Sequence, residues 1–399
     1  TPPYSSAASD VYKRQIYQFM NDFPKEEFIS RIEKIQIHIE KENIDAVIIT
    51  SPSNFRYFTG LDSNFWESPT RPWYLIISKK NPIKAIIPSI GITAMQNTLV
   101  NDIETWESPN PKDEGISLLK KNIKSFPKNS NIGFELGNET FLRMSINDYQ
   151  DIQKNLSEYN FVDASKILWS IRKIKSEIEI SNIKEICSIT SKVFDNFPEK
   201  INLGMSEKQI TSIFKKELIE GGADYIQYMA CASGLNGYNQ IICNPTERVT
   251  KDGDILIIDT GATLNGYYSD FDRNFGFGRI NKQVLDAYNK LWEATERTLE
   301  IIKPGTSCSE IYSKLSYSLT TNNISVGRMG HGLGLQLTEP PSIMKNDKTL
   351  LEENMIITLE PSIEMDQNKI LVQEENLLIT KDSYKLLSTR TPENLPIIN

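Results

Sequence analysis

Histidine is almost missing from this sequence: His38 and His331 are the only two in 399 residues. Chemistry that needs several imidazoles is thereby excluded. Cysteine is nearly as scarce, with Cys187, Cys231, Cys243 and Cys308 far apart and no C-x-x-C pair. That argues against a disulfide framework and a thiolate zinc site, and it fits a reducing, cytoplasmic compartment. No window approaches the roughly 18 uninterrupted apolar residues of a membrane-spanning helix, so no membrane partner is expected. Positive charge is in deficit too. The 44 Lys and Arg against 52 Asp and Glu leave a net charge of −8, which argues against a nucleic-acid partner. Thr1 to Gln15 contain no initiator Met and no apolar signal core, and are expected to be non-native or disordered rather than a secretory leader.

What is present is ordinary globular material, 39% hydrophobic and 24% charged, at a length that suggests two domains. Phe28, Ile32, Ile35 and Ile39 recur at helical spacing, with His38 beside the stripe as a surface residue. Apolar runs at Ala46–Thr50, Tyr74–Ser78 and Lys84–Pro88, then a helical segment near Ile116–Ile123, predict an α/β domain with partly parallel strands. The domain boundary is placed at the basic segment Trp169–Ser176, which opens a long helix that ends at Pro198. Further on, Gly204-Met205-Ser206-x-x-Gln209 is a helix-capping sequence. It recurs 101 residues later as Gly305-Thr306-Ser307-x-x-Glu310, and Ile210, Phe214 and Leu218 recur as Ile311, Leu315 and Leu319. Either two amphipathic helices coincide, or the domain is built from two related halves with its site between them.

The run Ile255–Ile258 leads into Asp259, and Asn265-Gly266 is a strong hairpin signal. With those two residues as the loop, Leu264 pairs with Tyr267, Asp259 faces Asp272 and Asp270 faces Gly261. Residues two apart on a strand share a face, so the three Asp side chains point the same way. Such acids repel unless a cation neutralises them, and a divalent metal, or a pair about 3.5–4 Å apart, meets that need. The bland alternative is an acid or two turned to solvent at a sheet edge. His331 lies in Gly330-His331-Gly332-Leu333-Gly334, as a ligand or as a satisfied core residue. Glu360 ends the run Met355–Leu359, and Glu374 interrupts Ile370–Thr380; acids inside apolar strands are costly to bury without partners. Two Asp, two Glu and one His suit Mn, Fe, Co or Zn better than a thiol-bound metal.

Asp259-Thr260-Gly261, Gly266-Tyr267-x-Ser269-Asp270, Gly330-His331-Gly332-Leu333-Gly334, Leu359-Glu360-Pro361 and Glu374-x-x-Leu377, in this order, resemble the metallopeptidase family that holds methionine aminopeptidase, prolidase and aminopeptidase P. The resemblance implies an α+β "pita-bread" domain over residues 169–399, whose pseudo-twofold symmetry would account for the 101-residue repeat. Phe55-Arg56-Tyr57-Phe58-Thr59-Gly60 and Ile171-Arg172-Lys173-Ile174-Lys175-Ser176 resemble the prolidase, aminopeptidase P and creatinase branch, which implies a creatinase-type α/β domain over residues 16–168. Carried over, the ligands of two divalent metal ions are Asp259, Asp270, His331, Glu360 and Glu374, with Asp270 and Glu374 shared between the ions. A homodimer is the usual state of this branch.

Three positions depart from the family pattern. Thr338 stands seven residues after His331 where a second His is usual, Ser233–Pro245 contains no His, and Asp272 stands where Thr is usual. The expected function is a metal-dependent hydrolase of the Xaa-Pro peptidase type, in which a metal-bound hydroxide attacks a dipeptide, a short peptide or an amide-like small molecule. Glu360 is the expected general base, and Thr338 and Glu339 are counted in the catalytic set. Tyr238 and Gln240 are the favoured replacement donors, with Tyr228, Asn239 and Arg328 also near; Tyr228 and Arg328 would contact substrate. The segment Asn64–Trp73 groups Phe65, Trp66 and Trp73 around Arg71, either as core packing or as a lid whose Arg71 and Trp73 bind substrate. The missing histidines keep open a small-molecule C–N hydrolase or lyase, creatinase-like or dimethylsulfoniopropionate-lyase-like, and they predict that Xaa-Pro dipeptides are poor substrates. A non-catalytic binding protein on the same fold is the third reading.

Overall fold

The computed structural model describes residues 23–68, 71–319 and 327–399. Thr1 to Gln15, expected to be non-native, lie outside the described residues. The chain divides into two compact units, one ending at Arg172 and the other beginning at Lys173.

In the first unit, helix α1 (Lys25–Lys41) buries Phe28, Ile35 and Ile39, the stripe expected from their spacing. A six-stranded sheet follows, made of β1 (Ala46–Ile49), β2 (Tyr74–Ser78), β3 (Lys84–Pro88), β4 (Asp102–Trp106), β5 (Asn131–Phe134) and β6 (Asn160–Asp163). Its order is β4-β3-β2-β1-β5-β6. The pairs β3–β4, β1–β5 and β5–β6 are parallel, whereas β1–β2 and β2–β3 are antiparallel. Central β1 is buried at all four residues, which is why it reads as an unbroken apolar run rather than an alternating one. Helices α2 (Ile116–Ile123) and α3 (Ile146–Asn155) cover one face through Leu119, Ile123, Tyr149 and Ile152.

The second unit has two similar halves. The first contains α4 (Glu177–Asn196), α5 (Glu207–Glu220), β7 (Tyr225–Leu235), β8 (Asp254–Leu264), β9 (Tyr267–Tyr268) and β10 (Phe271–Phe277). The second contains α6 (Lys282–Leu299), α7 (Cys308–Leu319), β11 (His331–Gly332), β12 (Glu339–Ser342), β13 (Ile356–Leu359), the hairpin β14 (Ser362–Met365) and β15 (Lys369–Val372), β16 (Glu375–Ile379) and β17 (Tyr384–Leu386). The sheets run β18-β10-β8-β7 and β12-β11-β13-β16-β17, and the former takes its edge strand β18 (Ile397–Ile398) from the end of the chain.

The 101-residue offset seen in the sequence recurs in the hydrogen bonds. Ser206 caps α5 in a reciprocal box with Gln209, and Ser307 does the same with Glu310 at α7. Glu207 N–H donates to the Arg248 carbonyl at 3.0 Å, and Cys308 N–H to that of Thr349 at 3.0 Å. Thr250 N–H donates to Met205, and Leu351 N–H to Thr306, again 101 residues on. Strand alternation then divides the faces of β10. Phe271 and Phe275 pack on Phe194, 5.5 and 6.5 Å between ring centroids, on the helix side. Asp270, Asp272 and Asn274 therefore point the other way, towards the interior between the halves.

Candidate metal centre

On β8 the series Ile255, Ile257, Asp259 lies on the inner face, and β10 sets Asp272 directly opposite Asp259. Leu264 pairs with Tyr267, so the hairpin has the register expected from its Asn265-Gly266 turn. Asp259, Asp270 and Asp272 are 9%, 4% and 1% exposed, which removes the alternative of a solvated sheet edge. From the other half come His331 in β11, Glu360 just after β13 and Glu374 just before β16. Leu359 pairs with Glu375, and that register continued by one residue sets Glu360 opposite Glu374. Asp259 and Glu360 are themselves 101 residues apart, so each half offers a facing pair of acids.

Asp270, His331 and Glu374 close on one point, with one ligand atom from each within 4.8 Å of the others. His331 Nε2 is 3.3 Å from Asp270 Oδ2 and 3.9 Å from Glu374 Oε1. Its Nδ1 lies 2.9 Å from the Gly332 carbonyl oxygen. A carbonyl only accepts, so in the neutral ring Nδ1 carries the proton and Nε2 turns its lone pair to the carboxylates. The flanking glycines make this approach possible. A Cβ on Gly330, where φ is +135°, would strike the Thr358 carbonyl, and one on Gly332 would strike that of Pro340.

The ligand strands are held through their backbones. The Asn376 side chain accepts from the Asp270 N–H at 3.1 Å and donates to the Asp270 carbonyl, while Cys187 Sγ donates to the same Asn376 oxygen. Arg273 Nη1 donates to the carbonyls of Asp272 at 2.6 Å and Glu374 at 2.8 Å, and its other nitrogen pairs with Glu375 at 3.1 Å. One guanidinium thus joins the two halves behind the acids.

Burial pushes Asp259 up to about 8; the Asp270 charge adds to this, and the Tyr228 hydroxyl, donating to Oδ2 at 3.1 Å, opposes it. Burial likewise pushes Glu360 up to about 7, with His331 pulling down and Asp259 and Asp270 pushing up. Asp270, Asp272 and Glu374 are raised well above the usual carboxylate range, burial being the first cause in each. Asp259 Oδ1, Asp272 Oδ1 and Glu374 Oε1 are buried with no hydrogen-bond partner among the described residues. Orphaned carboxylate oxygens are costly, and divalent cations satisfy both their charge and their lone pairs. The donor set fits such ions.

The remaining expected site residues are distributed more widely. Tyr228 is at the centre, on Asp259. Arg328 is exposed, yet its charge lowers both Asp270 and Glu360. Thr338 is half-buried, and Glu339 forms a buried ion pair with Lys175 at 3.1 Å. Of the two favoured donors, Tyr238 is corrected. Tyr238 is fully engaged in the core, donating to Asn274 Oδ1 at 2.9 Å and accepting from the Val372 N–H at 2.8 Å. Gln240 is exposed, and neighbouring Asn239 accepts from Lys369 at 2.6 Å. Arg71 and Trp73 belong to the first unit. The Arg71 guanidinium lies 5.2 Å from the Phe65 ring centroid, and buried Trp73 packs edge-on against Phe55. Asn376, Arg273 and Lys175 were not picked out from the sequence. The signal for Asn376 was present, since Gln373, Glu374, Glu375 and Asn376 are four consecutive polar residues in an apolar run.

The sequence model for Metallopeptidase family M24 matches residues 181–382, half of the chain and the whole of the centre just described. The chain belongs to metallopeptidase family M24. Residues 31–174 match the Creatinase/Prolidase N-terminal domain. Among M24 relatives, an Xaa-Pro dipeptidase of Pyrococcus furiosus is 27% identical over 369 residues, covering 92% of this chain and 99% of that protein. An uncharacterized peptidase of Staphylococcus haemolyticus is 25% identical over 367 residues, covering 90% of this chain and 99% of its own. The crystal structure of a prolidase from Thermococcus sibiricus superimposes with a TM-score of 0.83 at 25% identity, covering 93% of this chain and 99% of that one. The protein is thus a metallopeptidase with the pita-bread fold and a creatinase-type N-terminal domain. No helix among the described residues is long and apolar enough to cross a membrane.

Proposed function

We propose that this metallopeptidase hydrolyses an amide bond in a dipeptide or short peptide, with Asp259, Asp270, His331, Glu360 and Glu374 holding two divalent cations. The observation that carries the reading is the meeting of Asp270, His331 and Glu374 within 4.8 Å. The orphaned oxygens on Asp259 and Glu374 support it. Cations held there would polarise the scissile carbonyl and lower the pKa of water to about 7. Glu360 takes the proton of the attacking water on its carboxylate and returns it to the leaving nitrogen. His331 keeps its Nε2 lone pair aimed at the centre, and Tyr228 orients Asp259. The homodimer and the cytoplasmic location expected from the sequence belong to the same proposal, and light scattering tests the former.

Xaa-Pro dipeptides are the first substrates to assay, because relatives bear that name. The C–N hydrolase or lyase reading keeps one specific support: position 338 is Thr and residues 233–245 contain no His. Metal-free protein reloaded with Mn²⁺ should cleave a peptide from a panel of prolyl and non-prolyl dipeptides. Glu360→Gln, compared with wild type at equal metal occupancy, should reduce that turnover by about 10²–10⁴-fold. A metal-loaded protein that cleaves no peptide but turns over betaine-like compounds would favour the second reading, and full activity in the Gln variant would remove Glu360 as the base.

A further inference from the structure

The first half brings one acid more to the centre than the proposed ligand set uses. Asp272 faces Asp259 across the β8–β10 ladder and is two residues from Asp270, on the same face. Side chains directly opposite on antiparallel strands have Cβ atoms about 4.5–5.5 Å apart, so the two carboxylates are neighbours. Asp272 is 1% exposed, and its Oδ1 has no hydrogen-bond partner among the described residues. Adjacent Arg273 does not take up that oxygen, because its guanidinium is bound to the Asp272 carbonyl, the Glu374 carbonyl and the Glu375 carboxylate. Asp259 Oδ1 is orphaned in the same way. Two facing buried carboxylates, each with an unused oxygen, repel each other when ionised unless a cation lies between them.

We propose that Asp272 is itself a metal ligand, gripping with Asp259 the cation on the first-half side of the centre. The inference rests on the metal reading above. The His331 imidazole stands with Asp270 and Glu374, which leaves the Asp259–Asp272 side with oxygen ligands alone. Such a set suits Mn²⁺ better than Zn²⁺.

Calorimetric titration of the metal-free full-length protein with MnCl₂ tests this, comparing wild type with Asp272→Asn, which keeps the shape and removes the charge. Wild type should bind two ions. The variant should keep one site unchanged and lose about 10–100-fold in affinity at the other, a loss on the scale seen when a group supporting a metal site is removed. Two unchanged sites in a folded variant overturn the role of Asp272 alone, whereas no Mn²⁺ binding by wild type overturns the metal reading itself. Should Asp272→Asn fail to fold, anomalous diffraction from Mn²⁺-loaded wild-type crystals decides. An Asp272 oxygen within about 2.0–2.6 Å of an ion supports the assignment, and two bound ions both beyond that reach refute it.

Discussion

Stripped of divalent cations, the protein should be less stable at pH 8 than at pH 5. Glu360 is raised from 4.5 to about 7 and Asp259 from 3.8 to about 8 in the folded chain. In the unfolded chain both ionise near their ordinary values. Between about pH 4.5 and 8 the folded state therefore holds more protons than the unfolded state, and stability falls as pH rises. At 1.36 kcal/mol per pH unit, the Glu360 rise is worth about 3 kcal/mol and the Asp259 rise about 6 kcal/mol. The Asp259 charge is part of what raises Glu360, so the two contributions overlap, and between about pH 4.5 and 8 a loss of about 5–8 kcal/mol is expected, at least that of Asp259 alone over this window. That is a large share of the 5–15 kcal/mol that usually stabilises a domain. Urea denaturation in chelator at pH 5, 6, 7 and 8 measures it, with an Asp259→Asn, Glu360→Gln double variant as reference for the rest of the titrating surface. Mn²⁺ must displace these protons, so its stabilising effect should grow with pH. A chelated wild type that holds or gains stability over the double variant from pH 5 to 8 refutes the reasoning.

Asn376→Ala should release the Asp270 backbone and weaken Mn²⁺ binding by about 10–100-fold with the circular dichroism spectrum unchanged; calorimetry reads the first and spectroscopy the second. Arg273→Ala leaves Glu375 buried with one cationic partner fewer and frees the Glu374 carbonyl. It should cost about 3–5 kcal/mol by chemical denaturation, whether metal is present or not. Thr338→His should raise turnover of Xaa-Pro dipeptides at constant metal content; no change in the rate would mean that the missing imidazole is not what limits them.

The ladder of acids was legible because its determinants are local. Asn265-Gly266 sets a two-residue turn, the turn sets the register, and the register alone sends Asp259, Asp270 and Asp272 to one face. The repeat was legible for a similar reason, since capping boxes and apolar spacing are written within a dozen residues. His331, Glu360 and Glu374 had chemistry and motif but no geometry, because what joins them to the Asp hairpin is packing between halves about a hundred residues apart in sequence. Tyr238 shows the limit most clearly. Its place in a polar, glycine-containing stretch suggested a free donor, yet Asn274 and Val372, both distant in sequence, engage its hydroxyl. Arg273 was hidden by the opposite effect, since a lone Arg after an Asp reads as solvated surface until Glu375 is brought beside it.

The two-halved construction has a consequence for how the centre and the fold depend on each other. Asp259, Asp270 and Asp272 come from one half, His331, Glu360 and Glu374 from the other, and neither half alone has the complete set. Without cations the seam between them crowds five acids that repel one another as they ionise. With cations it becomes a rivet that can form only when both halves are docked. Metal occupancy would then report on assembly of the whole unit, and departure of the ions should loosen this seam first, so that hydrogen exchange in the metal-free protein rises earliest along β10, β11 and β13.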